Sequence, residues 1–142
     1  MKFIKTTATM FAIVALTLGI SSCNVAATKA YGSVQTPATG ADKDVAIFDK
    51  QVSKGIVILD FFATWCPPCK KFAPIFKEAA AKHTNILFIK VDVDTYANLT
   101  EQYGVRSMPT IIALKDGKKV ETNIGAMTSN KFESWIAGIS AR

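Results

Sequence analysis

The chain has 142 residues, room for one domain plus appendages. Apolar residues make up 49 % and the formal net charge is +6, so the chain can build a real core under a basic surface. Its lysines are scattered, with short pairs at 70–71 and 118–119 and no basic stripe interleaved with aromatics. That distribution argues against nucleic-acid binding and for an ordinary solvated surface.

In chain order, the first segment is a leader. Lys2 and Lys5 precede the apolar run from Met10 to Ile20, and small residues follow. This is the pattern of a signal peptide, here over residues 1–22. The run is shorter than the roughly 20 apolar residues that span a bilayer. Without Lys2 and Lys5 the remaining charge is +4. Ile20-Ser21-Ser22-Cys23 resembles the lipobox of bacterial lipoproteins. That resemblance implies that Cys23 becomes the first mature residue, carries lipid, and holds the protein on the periplasmic face of a membrane. The alternative is cleavage nearby, for example after Ala27, which discards Cys23 and yields a soluble periplasmic or secreted protein. Either way an exported chain meets an oxidising compartment where disulfides persist.

Residues 23–41 are rich in Ala, Thr, Gly and Ser without a sustained period, and read as a flexible tether. The competing reading makes Tyr31–Thr36 a short edge strand. A domain is expected over residues 42–142. Val45, Phe48 and Val52 recur at helical spacing, ended by Gly55. Gly55–Ala63 is a nearly continuous β-branched and aromatic run, the sign of a strand buried on both faces. Pro67–His83 reads as a helix with Phe72, Ile75, Phe76 and Ala79 on one face, and Pro74 should kink it. Asn85–Asp94 is a second buried strand, and Tyr96–Val105 a short helix stopped by Gly104. Thr110–Ala126 is a hairpin turning at Asp116-Gly117. The last helix is capped by Thr128 or Ser129 and buries Phe132, Trp135, Ile136 and Ile139. The order α-β-α-β-α-β-β-α predicts an α/β fold. Its first strands are parallel, joined by right-handed crossovers, its final hairpin is antiparallel, and helices cover both faces of the mixed sheet.

Cys66 and Cys69 stand where a buried strand ends and a helix begins. Positions i and i+3 share a helix face, so the two sulfurs can meet. Such a bridge closes a very short loop and constrains little of the unfolded chain, which makes it a poor staple. The unpaired N–H groups and dipole of a helix start favour a thiolate, the attacking species in disulfide exchange. Trp65 beside the pair offers either an apolar lip for substrate or a core aromatic. Zinc needs four ligands, or three plus water. Only His83 and scattered carboxylates are available, so no metal and no bound cofactor are expected. Asp60 interrupts an apolar strand, where burial should raise its pKa. It is read as a proton exchanger for Cys69, as a structural acid paired with Lys90, or as both.

Taken together, these motifs resemble thioredoxin over residues 42–142. Trp65-Cys66-Pro67-Pro68-Cys69-Lys70 matches the redox motif, and Phe72-Ala73-Pro74 follows at the family's spacing. Asp60 and Lys90 fall on the buried acid and its lysine, Ser107-Met108-Pro109-Thr110 on the cis-proline loop, and Gly125 on the glycine beside the active site. The resemblance implies a thioredoxin fold, a redox-active Cys66–Cys69 disulfide, a cis bond before Pro109, and a role for Met108 in pairing with substrate backbone. Pro67 departs from the usual Gly. Proline is tolerated at a helix start, where N–H groups lack intrahelical partners. Each proline there also removes an amide that could donate to the thiolate.

The leading expectation is a monomeric, membrane-tethered thiol–disulfide oxidoreductase that reduces protein disulfides, recharged by a membrane thiol reductase. Two alternatives stand beside it. One is a disulfide-forming oxidase, although Val91–Met108 leaves no room for the helical insertion such oxidases carry. The other is a non-catalytic binding or chaperone domain using the groove at Pro109.

Overall fold

A computed structural model describes residues 32–37 and 45–142, with the side chains of the first helix from Phe48 onward. Residues 1–31, which hold the expected leader and Cys23, and residues 38–44 lie outside the described residues. The elements are β1 (Val34–Gln35), α1 (Val45–Val52), β2 (Ile56–Phe62), α2 (Pro67–Lys82), β3 (Leu87–Asp92), α3 (Ala97–Gln102), β4 (Thr110–Lys115), β5 (Lys118–Ile124) and α4 (Ser129–Ser140). The sheet order is β1-β3-β2-β4-β5. β3 runs parallel to both β1 and β2, β4 antiparallel to β2, and β5 antiparallel to β4. The mixed sheet expected from the element order is therefore present.

One strand corrects the tether reading. Val34 and Gln35 pair in register with Phe88 and Ile89. Val34 packs on the core beneath α2, and Pro37 is buried. An apolar residue facing the core repays ordering where the Ala/Thr composition around it does not.

Burial of β2 follows from its alternation. Val57, Leu59 and Phe61 point to one face, where they meet Leu87, Ile89, Val91, Ile112, Leu114, Phe48 and Val52. Ile58 points to the other, with Phe72, Phe76, Phe88, Ile111, Phe132 and Ile136. Phe132 is the aromatic hub there, 5.1 Å from Phe72, 5.9 Å from Phe76 and 6.0 Å from Trp135 between ring centroids. The β4–β5 turn places Asp116 at φ 49° and Gly117 at φ 77°, the pair of positive values that suits a two-residue hairpin. Thr128 caps α4, its hydroxyl accepting from the Lys131 N–H at 3.4 Å. α2 continues through Pro74, so that residue removes the donor for the Lys70 carbonyl without ending the helix.

Candidate active site

β2 delivers the chain to one end of the sheet. A turn closes with the Cys66 N–H on the Ala63 carbonyl at 3.2 Å, and α2 starts. Cys66 is the N-cap, in extended geometry at φ −85°, ψ 110°, as a residue before proline should be. Pro67 and Pro68 occupy the first two helical positions and have no N–H. The remaining first-turn donor is the Cys69 N–H, 3.3 Å from Cys66 Sγ. A disulfide joins Cys66 and Cys69, with Cα atoms 5.3 Å apart. The spacing argument therefore holds: the helix start sets the two sulfurs within bonding reach and directs one amide at the first of them.

The pair is mostly enclosed. Cys66 is 4 % exposed, and both cysteines pack with Ala63, Phe62, Val93 and Met108. Trp65 is instead 61 % exposed, its Nε1 donating to Asp94 Oδ2 at 2.9 Å. Of the two readings for Trp65, the core aromatic is ruled out and the lip remains. Asp94 was missed in the sequence. Its only signal there is the alternation of Asp92 and Asp94 at the end of the β3 segment.

The Met108–Pro109 bond is cis. Pro109 is buried, and its carbonyl accepts from the Gly125 N–H at 2.8 Å. Gly125 has φ 93°, in the left-handed region where a side chain is strained. The Asn123 amide donates to the Gly125 carbonyl at 2.8 Å and steadies that turn. Beside it Ile124, paired with Thr110, stands 72 % exposed. Met108, Pro109 and Gly125 thus form one wall, with Met108 packed against the disulfide, while Trp65, Pro67 and Pro68, next to Cys66 in the chain, are exposed.

Asp60 lies beneath this surface, 0 % exposed. Its Oδ2 accepts from Lys90 Nζ, and Lys90 is its in-register neighbour on β3. Oδ1 has no hydrogen-bond partner among the described residues. Burial pushes the Asp60 carboxyl above the usual carboxylate range, and the Lys90 ammonium pulls against it. Lys90 also sits over the Phe62 ring at 4.0 Å and the Phe76 ring at 5.6 Å, so aromatic faces share its charge. A buried acid with a perturbed pKa and one unsatisfied oxygen is a candidate for proton transfer. The pairing with Lys90 is realised, and it leaves that second oxygen available.

His83, the one imidazole considered as a ligand, meets Glu133 Oε2 at 2.7 Å. Among the described residues no group of three or more His, Cys, Asp or Glu could hold a metal ion.

A disulfide-bonded cysteine pair at a helix start, with a cis-proline wall beside it and a buried acid on the strand that leads into it, is the arrangement of a thiol–disulfide oxidoreductase. The Thioredoxin family model matches residues 40–138. The chain belongs to the thioredoxin family. It is 47 % identical over 74 residues to Thioredoxin H3 of Arabidopsis thaliana, covering 52 % of this chain and 63 % of that protein. It is 42 % identical over 93 residues to Thioredoxin-1 of Caenorhabditis elegans, covering 66 % and 81 %. The crystal structure of Schistosoma mansoni thioredoxin is similar, with a TM-score of 0.65 and 37 % identity over 75 % of this chain and 95 % of that one.

Proposed function

We propose that the chain reduces protein disulfides outside the cytoplasm, held at a membrane by lipid on Cys23. The observation that carries the chemistry is Cys66 at the N-cap of α2, bonded to Cys69 and receiving its N–H. In the reduced protein, Cys66 thiolate attacks one sulfur of a substrate disulfide. A mixed disulfide forms and the first substrate thiolate leaves. Cys69 then attacks Cys66 Sγ, which releases the second substrate thiolate and leaves the Cys66–Cys69 disulfide. The Cys69 proton passes to Asp60, whose raised pKa and unpartnered Oδ1 suit it to that role. Two electrons leave with the two substrate thiolates, which take up one proton returned by Asp60 and one from solvent, and no bound cofactor enters the balance. Met108 and Pro109 offer backbone and Trp65, Pro67, Pro68 and Gly125 offer surface to the substrate chain. A membrane thiol reductase supplies the electrons that reopen the disulfide.

Insulin reduction measures this directly. Wild type turns over, and Cys66→Ser falls to background while remaining folded. Turnover by Cys66→Ser at the wild-type rate would sink the assignment. Direction is read from the redox state of Cys66 and Cys69 in cells: mostly reduced supports a reductase, mostly oxidised a disulfide-forming oxidase. The mass of the membrane-extracted protein tests lipid on Cys23.

A further inference from the structure

The end of the sheet opposite the cysteines carries an uneven charge. Between residues 45 and 142 there are thirteen Lys or Arg and nine Asp or Glu. Two cations at the far end are neutralised by neighbours: Lys82 pairs with Glu78 and Glu133, and Arg142 with Glu121. One corner is different. The loop after α1 meets the β4–β5 turn there. The Gly55 N–H donates to Asp116 Oδ1 at 2.8 Å, and the Asp116 N–H donates to the Gly55 carbonyl at 3.0 Å. Lys54 lies in that loop and Lys50 one turn before it, where Ser53 bonds the Lys50 carbonyl. Lys115 and Lys118 face each other across the turn, and Lys119 follows. Five lysines thus meet two aspartates, Asp49 and Asp116, and one of those aspartates is already engaged with backbone. Lys50, Lys115, Lys118 and Lys119 form no ion pair among the described residues.

A second observation concerns where the chain joins the fold. β1 is parallel to β3 and begins beside its amino end, so Gly32 lies at this same far end. A Cβ on Gly32 would sit 3.3 Å from Thr84 Cγ2, in the loop between α2 and β3. The chain therefore enters the fold at the end of the sheet that carries the lysine corner, with β1 and the β4–β5 turn at opposite edges of that end. The seven residues of β2 separate that end from the cysteines, about 20 Å at strand rise. A partner in disulfide exchange must reach Cys66, which lies at the other end of β2 from this corner.

We propose that this lysine corner rests on an anionic phospholipid surface and holds the domain with Cys66 turned away from it. The inference rests on the reading that the chain is held at a membrane, and extends it from attachment to orientation. Lysines near an anionic leaflet are attracted within a screening length, about 10 Å at 0.1 M salt.

The test is lysine-acetylation footprinting of the full-length membrane-extracted protein, with its lipid on Cys23, reconstituted on vesicles. That lipid inserts into either kind of bilayer, so attachment is common to both arms. On phosphatidylcholine mixed with phosphatidylglycerol, Lys115, Lys118 and Lys119 should be protected several-fold more than Lys70 and Lys71 beside the active site. On phosphatidylcholine alone that difference should vanish, as it should at about 1 M salt, where screening acts within roughly 3 Å. The triple variant Lys115→Gln, Lys118→Gln, Lys119→Gln should lose the protection at Lys50 and Lys54 and keep wild-type insulin turnover in solution. Equal protection on both vesicle types, or equal protection of Lys70 and Lys71, overturns the proposal. Protection seen only after adding membrane proteins overturns it too, in favour of an acidic protein face. The mass of Cys23 in cells is independent of all these outcomes, so loss of the lipid-anchor reading and loss of the orientation are told apart.

Discussion

The two faces of the central sheet are built from the same strands and do different jobs. On the α1/α3 side, β2 and β3 present Val57, Leu59, Phe61, Leu87, Ile89 and Val91, all apolar and closed from water. On the α2/α4 side, the alternate positions read Ile58 then Asp60, and Phe88 then Lys90. Apolar packing is broken there at one matched pair of residues, just below the cysteines. Both faces hold the protein together, and the second also carries a buried acid whose pKa is raised by burial. Leu59 and Asp60 are chain neighbours on opposite faces, so two substitutions one residue apart should separate the roles.

The larger effect is expected at Leu59. It is fully buried, and truncation to alanine removes packing that the sheet cannot close over. Leu59→Ala should cost about 2–5 kcal/mol of stability, read from denaturant unfolding. The pH dependence of insulin reduction by the folded protein should be unchanged. A shifted pH profile in Leu59→Ala would erase the division between the faces.

Asp60→Asn should do the reverse. The resolving step, followed as decay of a mixed disulfide on Cys66, should slow by about tenfold or more. Stability at neutral pH should not fall. An acid whose folded pKa lies above its unfolded one binds a proton on folding. Stability therefore declines as pH rises from the ordinary carboxylate range through the raised value. Asp60→Asn removes that decline. Urea unfolding across pH checks it, and an unchanged slope contradicts burial as the cause. Lys90→Met sharpens the comparison further. Loss of the ammonium that lowers the Asp60 pKa should move the pH profile of the resolving step upward.

Much of this was legible in sequence because it is local or periodic. The Cys66–Cys69 spacing needs only a helix start. The two charges at Asp60 and Lys90 stand out because they interrupt apolar strands, and parallel pairing of consecutive strands brings them level. The Asp116-Gly117 turn carries its own signature. Contacts that depend on how whole elements dock were not legible. Asp94 reaches Trp65 across 29 positions and His83 reaches Glu133 across 50. β1 is two residues long, so its single core-facing valine gives no period to count. The thioredoxin family is shown by the match over residues 40–138, and the membrane reading rests on composition and the Ile20–Cys23 pattern.

The smallest expected effect lies at the outer rim of the α2/α4 face. Glu133 joins α4 to the end of α2 through His83 Nε2 at 2.7 Å and Lys82 Nζ at 3.6 Å. The hydrogen bond from His83 is the main reason the Glu133 carboxyl sits below its ordinary range, helped by the Lys82 charge. A carboxylate with a lowered folded pKa adds stability above its unfolded pKa and loses it as pH falls through the folded one. The groups are partly solvated, so Glu133→Gln should cost only about 0.2–1 kcal/mol at neutral pH. The loss should shrink toward zero in acid, where wild type is protonated as well. Because this clasp lies on the functional face but far from Asp60 along α2, insulin turnover should not change. A slowed resolving step in Glu133→Gln would mean that the proton chemistry reaches further along that face than the Asp60–Lys90 pair.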